Sequence, residues 1–101
     1  MEIRQLQHFL AVVETGSFHK AAALVNITQQ AISRSIQQLE KECGGRLLER
    51  KKGTRHSVGP TSFGLLLLPR AQRALAELKG FRDELENLMG TGREMVRLGA
   101  T

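Results

Sequence analysis

Three apolar-periodic segments follow one another closely, parted only by two short signals, and this spacing constrains the chain more than any other feature. Ile3, Leu6, Leu10 and Val13, with Phe9 and Val12 beside them, recur at three- and four-residue steps and predict a helix over about 3–14. Gly16 supplies the left-handed backbone that ends it, and Ser17 stands ready to cap a second helix at once. Phe18, Ala21, Ala22 and Val25 then share a face, the two alanines leaving room for a neighbouring helix to come close. Asn26-Ile27-Thr28 joins a residue tolerant of positive φ to a good helix cap, so it reads as a tight turn. Two short helices joined in this way have helix-turn-helix spacing.

The next helix, Thr28 to Glu42, divides into two sides. Ile32, Ile36, Leu39 and Cys43 form a core stripe, while Gln29, Gln30, Ser33, Arg34 and Gln37 fill the opposite side without a carboxylate among them. Solvated helix faces usually mix Glu with Lys. Glutamine pairs well with adenine and arginine with guanine in the major groove, and phosphate repels acids, so this side suits duplex DNA. The plainer alternative is a polar surface with no partner. Charge favours the first: the chain carries 15 Lys and Arg against 10 Asp and Glu, a net +5. Residues 1–60 hold nine of the bases and five of the acids, and no acid falls between Glu14 and Glu40.

Gly44-Gly45 stops the helix. A short alternation over Arg46 to Arg50, a polar turn at Lys51-Lys52-Gly53-Thr54 and a return over Arg55 to Val58 predict a two-stranded hairpin with a basic tip. Beside a helix-turn-helix, such a hairpin would lie over the DNA backbone or minor groove as a wing; the alternative is a solvated basic loop. Together these residues resemble the LysR-type transcriptional regulators of bacteria. The resemblance rests on Gln5-Leu6 with Phe9, Gly16-Ser17-Phe18 followed by Ala21-Ala22, Ser33-Arg34-Ser35-Ile36 ending in Leu39-Glu40, Leu47-Leu48-Glu49-Arg50, and Thr61 with Gly64. It implies a mainly α fold with a small β-hairpin, a winged helix-turn-helix followed by a long linker helix. It also implies that Gln29, Gln30, Ser33 and Arg34 approach base edges or adjacent phosphates, and that Arg50, Lys52 and Arg55 support the wing. Ser17, Thr28 and Gln37 complete the candidate DNA-contacting set. Two positions depart from the family pattern: Gln30 replaces a common proline, and Pro60 replaces a common apolar strand residue.

Leu67, Ala71, Ala74, Leu78, Phe81, Leu85 and Leu88 alternate at four- and three-residue steps, a heptad seam that asks for a partner helix. For Leu65 to Leu68 the expected partner is the chain's own first helix; beyond Ala74 the globular part is too small to cover the seam. The resemblance implies that the seam pairs two copies in a homodimer. Pro69 and Gly80 fall within it, and Gly90-Thr91-Gly92 is expected to break the helix. Glu94 to Ala100 then looks like the start of a strand that opens the family's effector domain. The expected division is a DNA-binding domain at 1–60, a linker helix at 61–89, and a hinge with a cut-off strand at 90–101. Any small-molecule effector would act through a domain outside this chain.

Other classes find little support. His8, His19 and His56 fall on separate elements and Cys43 on a core face, so no metal-ligand spacing exists. Neither a nucleophile with its base nor a glycine-rich phosphate loop after a strand is present, and the expectation is no enzyme and no cofactor. Four Phe, with no Tyr or Trp, speak against the exposed base-stacking of single-strand binders. The longest apolar runs are five residues, against the roughly 20 needed to cross a bilayer. No secretory signal is seen and one cysteine cannot form an intrachain disulfide, which predicts a cytoplasmic protein. The competing function is a helical protein-interaction module whose basic charge is incidental.

Overall fold

Each helix starts and stops where backbone groups find local partners. In the computed structural model, which describes residues 1–53 and 57–91, the order is α1 (Ile3–Thr15), α2 (Phe18–Val25), α3 (Gln29–Cys43), β1 (Leu48–Arg50), β2 (Val58–Pro60) and α4 (Ser62–Thr91). Gly16, Asn26 and Gly44 end the first three helices in the left-handed region, at φ of 71°, 61° and 87°. Asn26 is the non-glycine among them, and there the Ile27 N–H donates to the Ala22 carbonyl at 3.0 Å.

The core lies where α1, α2 and α3 meet, around Phe9, Val12, Ala21, Ile32, Ile36 and Leu39. Ala21 and Ala22 are buried, as the close approach of α2 requires. The expected face of α1 is rotated, however. Phe9, Val12, Ala11, Gln5 and His8 are its buried residues, while Leu6, Leu10 and Val13 are half-buried and Ile3 is exposed. A three-residue-step pattern marks the centre of an apolar face only when one neighbour covers it, whereas α1 contacts α2, α3, α4 and β2.

The hairpin is antiparallel, with Leu48 opposite Pro60, Glu49 opposite Gly59 and Arg50 opposite Val58. Its return strand runs over 58–60, three residues beyond the start expected at Arg55. Val58 draws it there: the side chain is buried and its N–H donates to the Gly16 carbonyl at 2.9 Å, tying the hairpin to the α1–α2 junction. Pro60 is tolerated because a two-stranded ribbon leaves one side of each strand without a ladder.

The start of α4 is bolted to the same region. Thr61 donates its N–H to the Leu47 carbonyl at 3.0 Å and its hydroxyl to the Arg46 carbonyl, while the hydroxyl oxygen accepts the Gly64 N–H at 3.0 Å. A Cβ on Gly64 would sit 2.2 Å from the Leu47 carbonyl oxygen, so the Thr-x-x-Gly spacing is a steric requirement here. Phe63, Leu67 and Leu68 pack on the core and Ala71 is buried, but Leu65 and Leu66 are exposed, contrary to the expectation that all of 65–68 would be covered. A single packing face cannot take four consecutive helical residues, which point in four directions. Pro69 lies inside α4, bracketed by Leu68 and Ala71, whose packing holds the helix on both sides of it. The described part of α4 ends at Thr91, within the expected Gly90-Thr91-Gly92 stretch. The strand expected within 94–100 lies outside the described residues.

Candidate nucleic-acid interface

Ser17 caps the start of α2 at the α1–α2 junction, and Thr28 caps the start of α3 at the α2–α3 turn. Ser17 Oγ accepts the Lys20 N–H at 3.2 Å and Thr28 Oγ1 accepts the Ala31 N–H at 3.0 Å. Both hydroxyls act through their oxygens, so each retains its own proton to donate to a phosphate. Gln29, Gln30, Arg34 and Gln37 are exposed, and Ser33 is half-buried. Their helix turns its other side inward, with Ile32, Ile36 and Leu39 at 2% exposure or less, so the rotation of α3 is strongly constrained by burial.

An open groove of about 1010 Å³ runs between the start of α2, the face of α3 and β1. It gathers Ser17, Gln29, Ser33, Gln37 and Arg50 from the expected set. Thr28, Gln30, Arg34 and Lys52 are exposed outside that groove; Gln30 and Arg34 each lie one residue, about 100° of helix, beyond Gln29 and Ser33. Arg55 lies outside the described residues. His19, Lys20 and Arg46 also line the groove, and sequence reasoning passed over them. For Lys20 the signal was present, since it follows the Ser17 cap by three residues within the acid-free run.

Two acids line the groove as well, and one is neutralised internally. Glu40 Oε2 accepts the Leu47 N–H at 2.7 Å and the Leu48 N–H at 3.3 Å, and it lies 3.7 Å from Arg46 Nε. Its side chain is 13% exposed. A carboxylate so occupied joins the end of α3 to the hairpin rather than facing the groove as free negative charge. Glu49 on β1 is exposed.

Behind the polar side, α3 meets α1 through polar contacts. His8 Nδ1 lies 2.7 Å from Ser35 Oγ, and Gln5 Nε2 donates to Gln38 Oε1 at 3.4 Å. Burial, helped by the Arg4 charge, lowers the His8 pKa below the ordinary histidine value. Burial likewise raises the Cys43 thiol, which keeps it protonated and inert at neutral pH. Among the described residues, no three of the His, Cys, Asp and Glu side chains come together as a metal site.

The heptad seam divides along α4. Leu67 and Ala71 turn into the chain's own core, whereas Ala74, Phe81 and Leu85 are exposed and Leu78 and Leu88 half-buried. Phe81 is 62% and Leu85 43% exposed, with Met89 beside them at 64%. α4 thus carries an uncovered apolar stripe away from the helix-turn-helix, in a molecule 60 Å long and 26 by 19 Å across.

Residues 3–65 match the family described as the bacterial regulatory helix-turn-helix protein, lysR family. This chain belongs to the LysR family. Over 99 residues, 98% of its length, this LysR-family chain is 44% identical to the SDS degradation transcriptional activation protein of a Pseudomonas species, of which it spans 31%. Over 88 residues, 87% of its length, it is 44% identical to the transcriptional regulator IlvR of Caulobacter vibrioides, of which it spans 29%. The chain therefore spans under a third of these two relatives. Among solved structures, the BenM_DBD/catB site 1 DNA complex superposes with a TM-score of 0.79 at 39% identity, over 88% of this chain and 96% of that one. The CbnR_DBD–DNA complex superposes with a TM-score of 0.74 at 36% identity, over 89% and 99%. The LysR-family fold here is thus a winged helix-turn-helix with a long linker helix, as the sequence predicted.

Proposed function

We propose that this chain is the DNA-reading part of a LysR-type transcriptional regulator, with α3 in the major groove and the basic hairpin on the backbone or minor groove. One observation carries the reading: an exposed, acid-free side of α3 flanked by two helix caps and a groove with Lys20, Arg46 and Arg50. Gln29, Gln30, Ser33, Arg34 and Gln37 would meet base edges or nearby phosphates, with Ser17 and Thr28 donating to phosphate and Arg50, Lys52 and Arg55 attracting the backbone. The relatives that are DNA complexes of LysR-type DNA-binding domains support this use of the same fold.

In this proposal two copies pair through the outer seam of α4, and the functional division places DNA binding at 1–60, pairing at 61–89 and a connection to further domains from 90. No helix among the described residues is long and apolar enough to cross a membrane, in keeping with a cytoplasmic regulator. The test is a mobility shift with duplexes selected by the chain from a randomised library. Enrichment of a common sequence, with affinity falling steeply as salt rises, supports the reading. If duplex DNA is not retained at low salt, α4 is the functional surface and the chain is a protein-pairing module.

A further inference from the structure

Two buried side chains on α1 are spent on holding α3. Gln5 and His8 are 7% and 6% exposed, the buried polar side chains among the described residues, and both reach across to the same helix. They stand three residues apart on α1, and their partners Ser35 and Gln38 stand three apart on α3, so the contacts form a two-rung antiparallel ladder. The lower rung is itself held: Gln5 Oε1 accepts the Glu2 N–H at 2.9 Å, which uses the amide at both ends. Ser35 and Gln38 are the chain neighbours of Arg34 and Gln37, on the candidate reading side.

Apolar packing constrains the rotation of α3, and directional bonds can set it more finely. Contacts made by Ile32, Ile36 and Leu39 fix which side of α3 is buried, but each is non-directional and sets no bond angle. Hydrogen bonds constrain both distance and angle. The tolerance needed is narrow: side-chain tips lie about 5–6 Å from a helix axis, so a rotation of about 10° moves them about 1 Å. That displacement takes a paired base contact out of the roughly 2.7–3.2 Å window. Phosphate contacts made by flexible lysines and arginines absorb such a shift.

We infer that the ladder of Gln5–Gln38 and His8–Ser35 is a positioning device that sets the rotation of α3, and thereby sequence discrimination, while leaving general DNA affinity alone. This inference rests on the proposed reading of duplex DNA by α3. Ser35 and His8 touch no base; they act through Arg34, Gln37 and their neighbours.

The decisive variant is Ser35→Ala, which removes one hydroxyl from a half-buried helical position where alanine is the better helix former. The measured quantity is the ratio of affinities for the selected duplex and a scrambled one. Loss of folded protein lowers both affinities equally and cancels in this ratio, so a purely structural role would not move it. Ser35→Ala is expected to lower the ratio about tenfold, within the range of one mismatched base pair, with scrambled-duplex affinity unchanged. Ser35→Thr, which keeps the hydroxyl, should restore it, and His8→Leu should reproduce the loss. An unchanged ratio in a Ser35→Ala protein that still selects a common sequence overturns the ladder alone. Failure of the unmutated chain to select any sequence overturns the DNA reading and the ladder's role with it.

Discussion

Gly64 shows how a single hydrogen atom decides the junction between hairpin and linker helix. In a helix, alanine is ordinarily favoured over glycine by about 1 kcal/mol, but a methyl group here would meet the Leu47 carbonyl oxygen at 2.2 Å. Overpacking against backbone costs about 1–3 kcal/mol, so the clash wins and Gly64→Ala should lower stability by about 2 kcal/mol in urea unfolding. A stabilised variant would show that the junction can open. Glu40 has a comparable role, because its carboxylate satisfies two hairpin N–H groups. Glu40→Ala should cost about 1–3 kcal/mol. His8 yields a pH dependence whose sign follows from its lowered pKa. The unfolded chain holds the proton more tightly, so it gains protons preferentially as pH falls through about 6.5, and folding stability is lost below that value. The melting temperature should therefore fall between about pH 7.5 and pH 5, and the slope should flatten in His8→Gln; an equal slope in the variant would place the titration elsewhere.

α3 and the hairpin should separate experimentally into reading and attraction. Arg34 is the long cation among the candidate reading residues of α3, so Arg34→Ala should weaken specific binding by about 1–3 kcal/mol and leave scrambled DNA nearly unaffected. Equal losses on both duplexes would make it a phosphate contact. Lys52→Ala at the exposed hairpin tip should weaken all duplexes alike and reduce the magnitude of the log K against log salt slope by about 1. An unchanged slope would remove Lys52 from the interface. The three helices and their caps were legible in the sequence because Ser17, Asn26, Thr28 and Gly44 act within one turn of their own position. The return strand was displaced from its expected place because its position depends on Val58 meeting Gly16, 42 residues away in the chain, which no local pattern records.

Along the 60 Å length, Leu78, Phe81, Leu85 and Leu88 form an apolar stripe that the rest of the described chain does not cover. Burying each such side chain is worth about 1.5–3 kcal/mol, most of which a lone helix forgoes. A homodimer paired there would set two α3 helices on successive major grooves, about 34 Å or a multiple of it apart, and would call for an inverted-repeat site. Leu78→Glu with Leu85→Glu lies outside the folded core, so the double variant should keep its helicity, sediment as a monomer and lose affinity for a full site far more than for a half-site. If the unmutated chain already sediments as a monomer at micromolar concentration, the seam does not pair copies.

Local signals therefore dictated the succession of helices, their caps, the basic acid-free side of α3 and the existence of the seam, because each depends on residues within a turn or two of one another. Packing chose among what remained. It rotated α1 so that Gln5 and His8 are buried, turned Glu40 inward to hold the hairpin, sent Leu67 and Ala71 into the core and left Phe81 and Leu85 outside. Periodicity tells which residues share a face, whereas the number of neighbours covering that face is a property of the assembled helices. For the same reason, His19, Lys20 and Arg46 joined the candidate interface only once α2, α3 and β1 had closed around one groove.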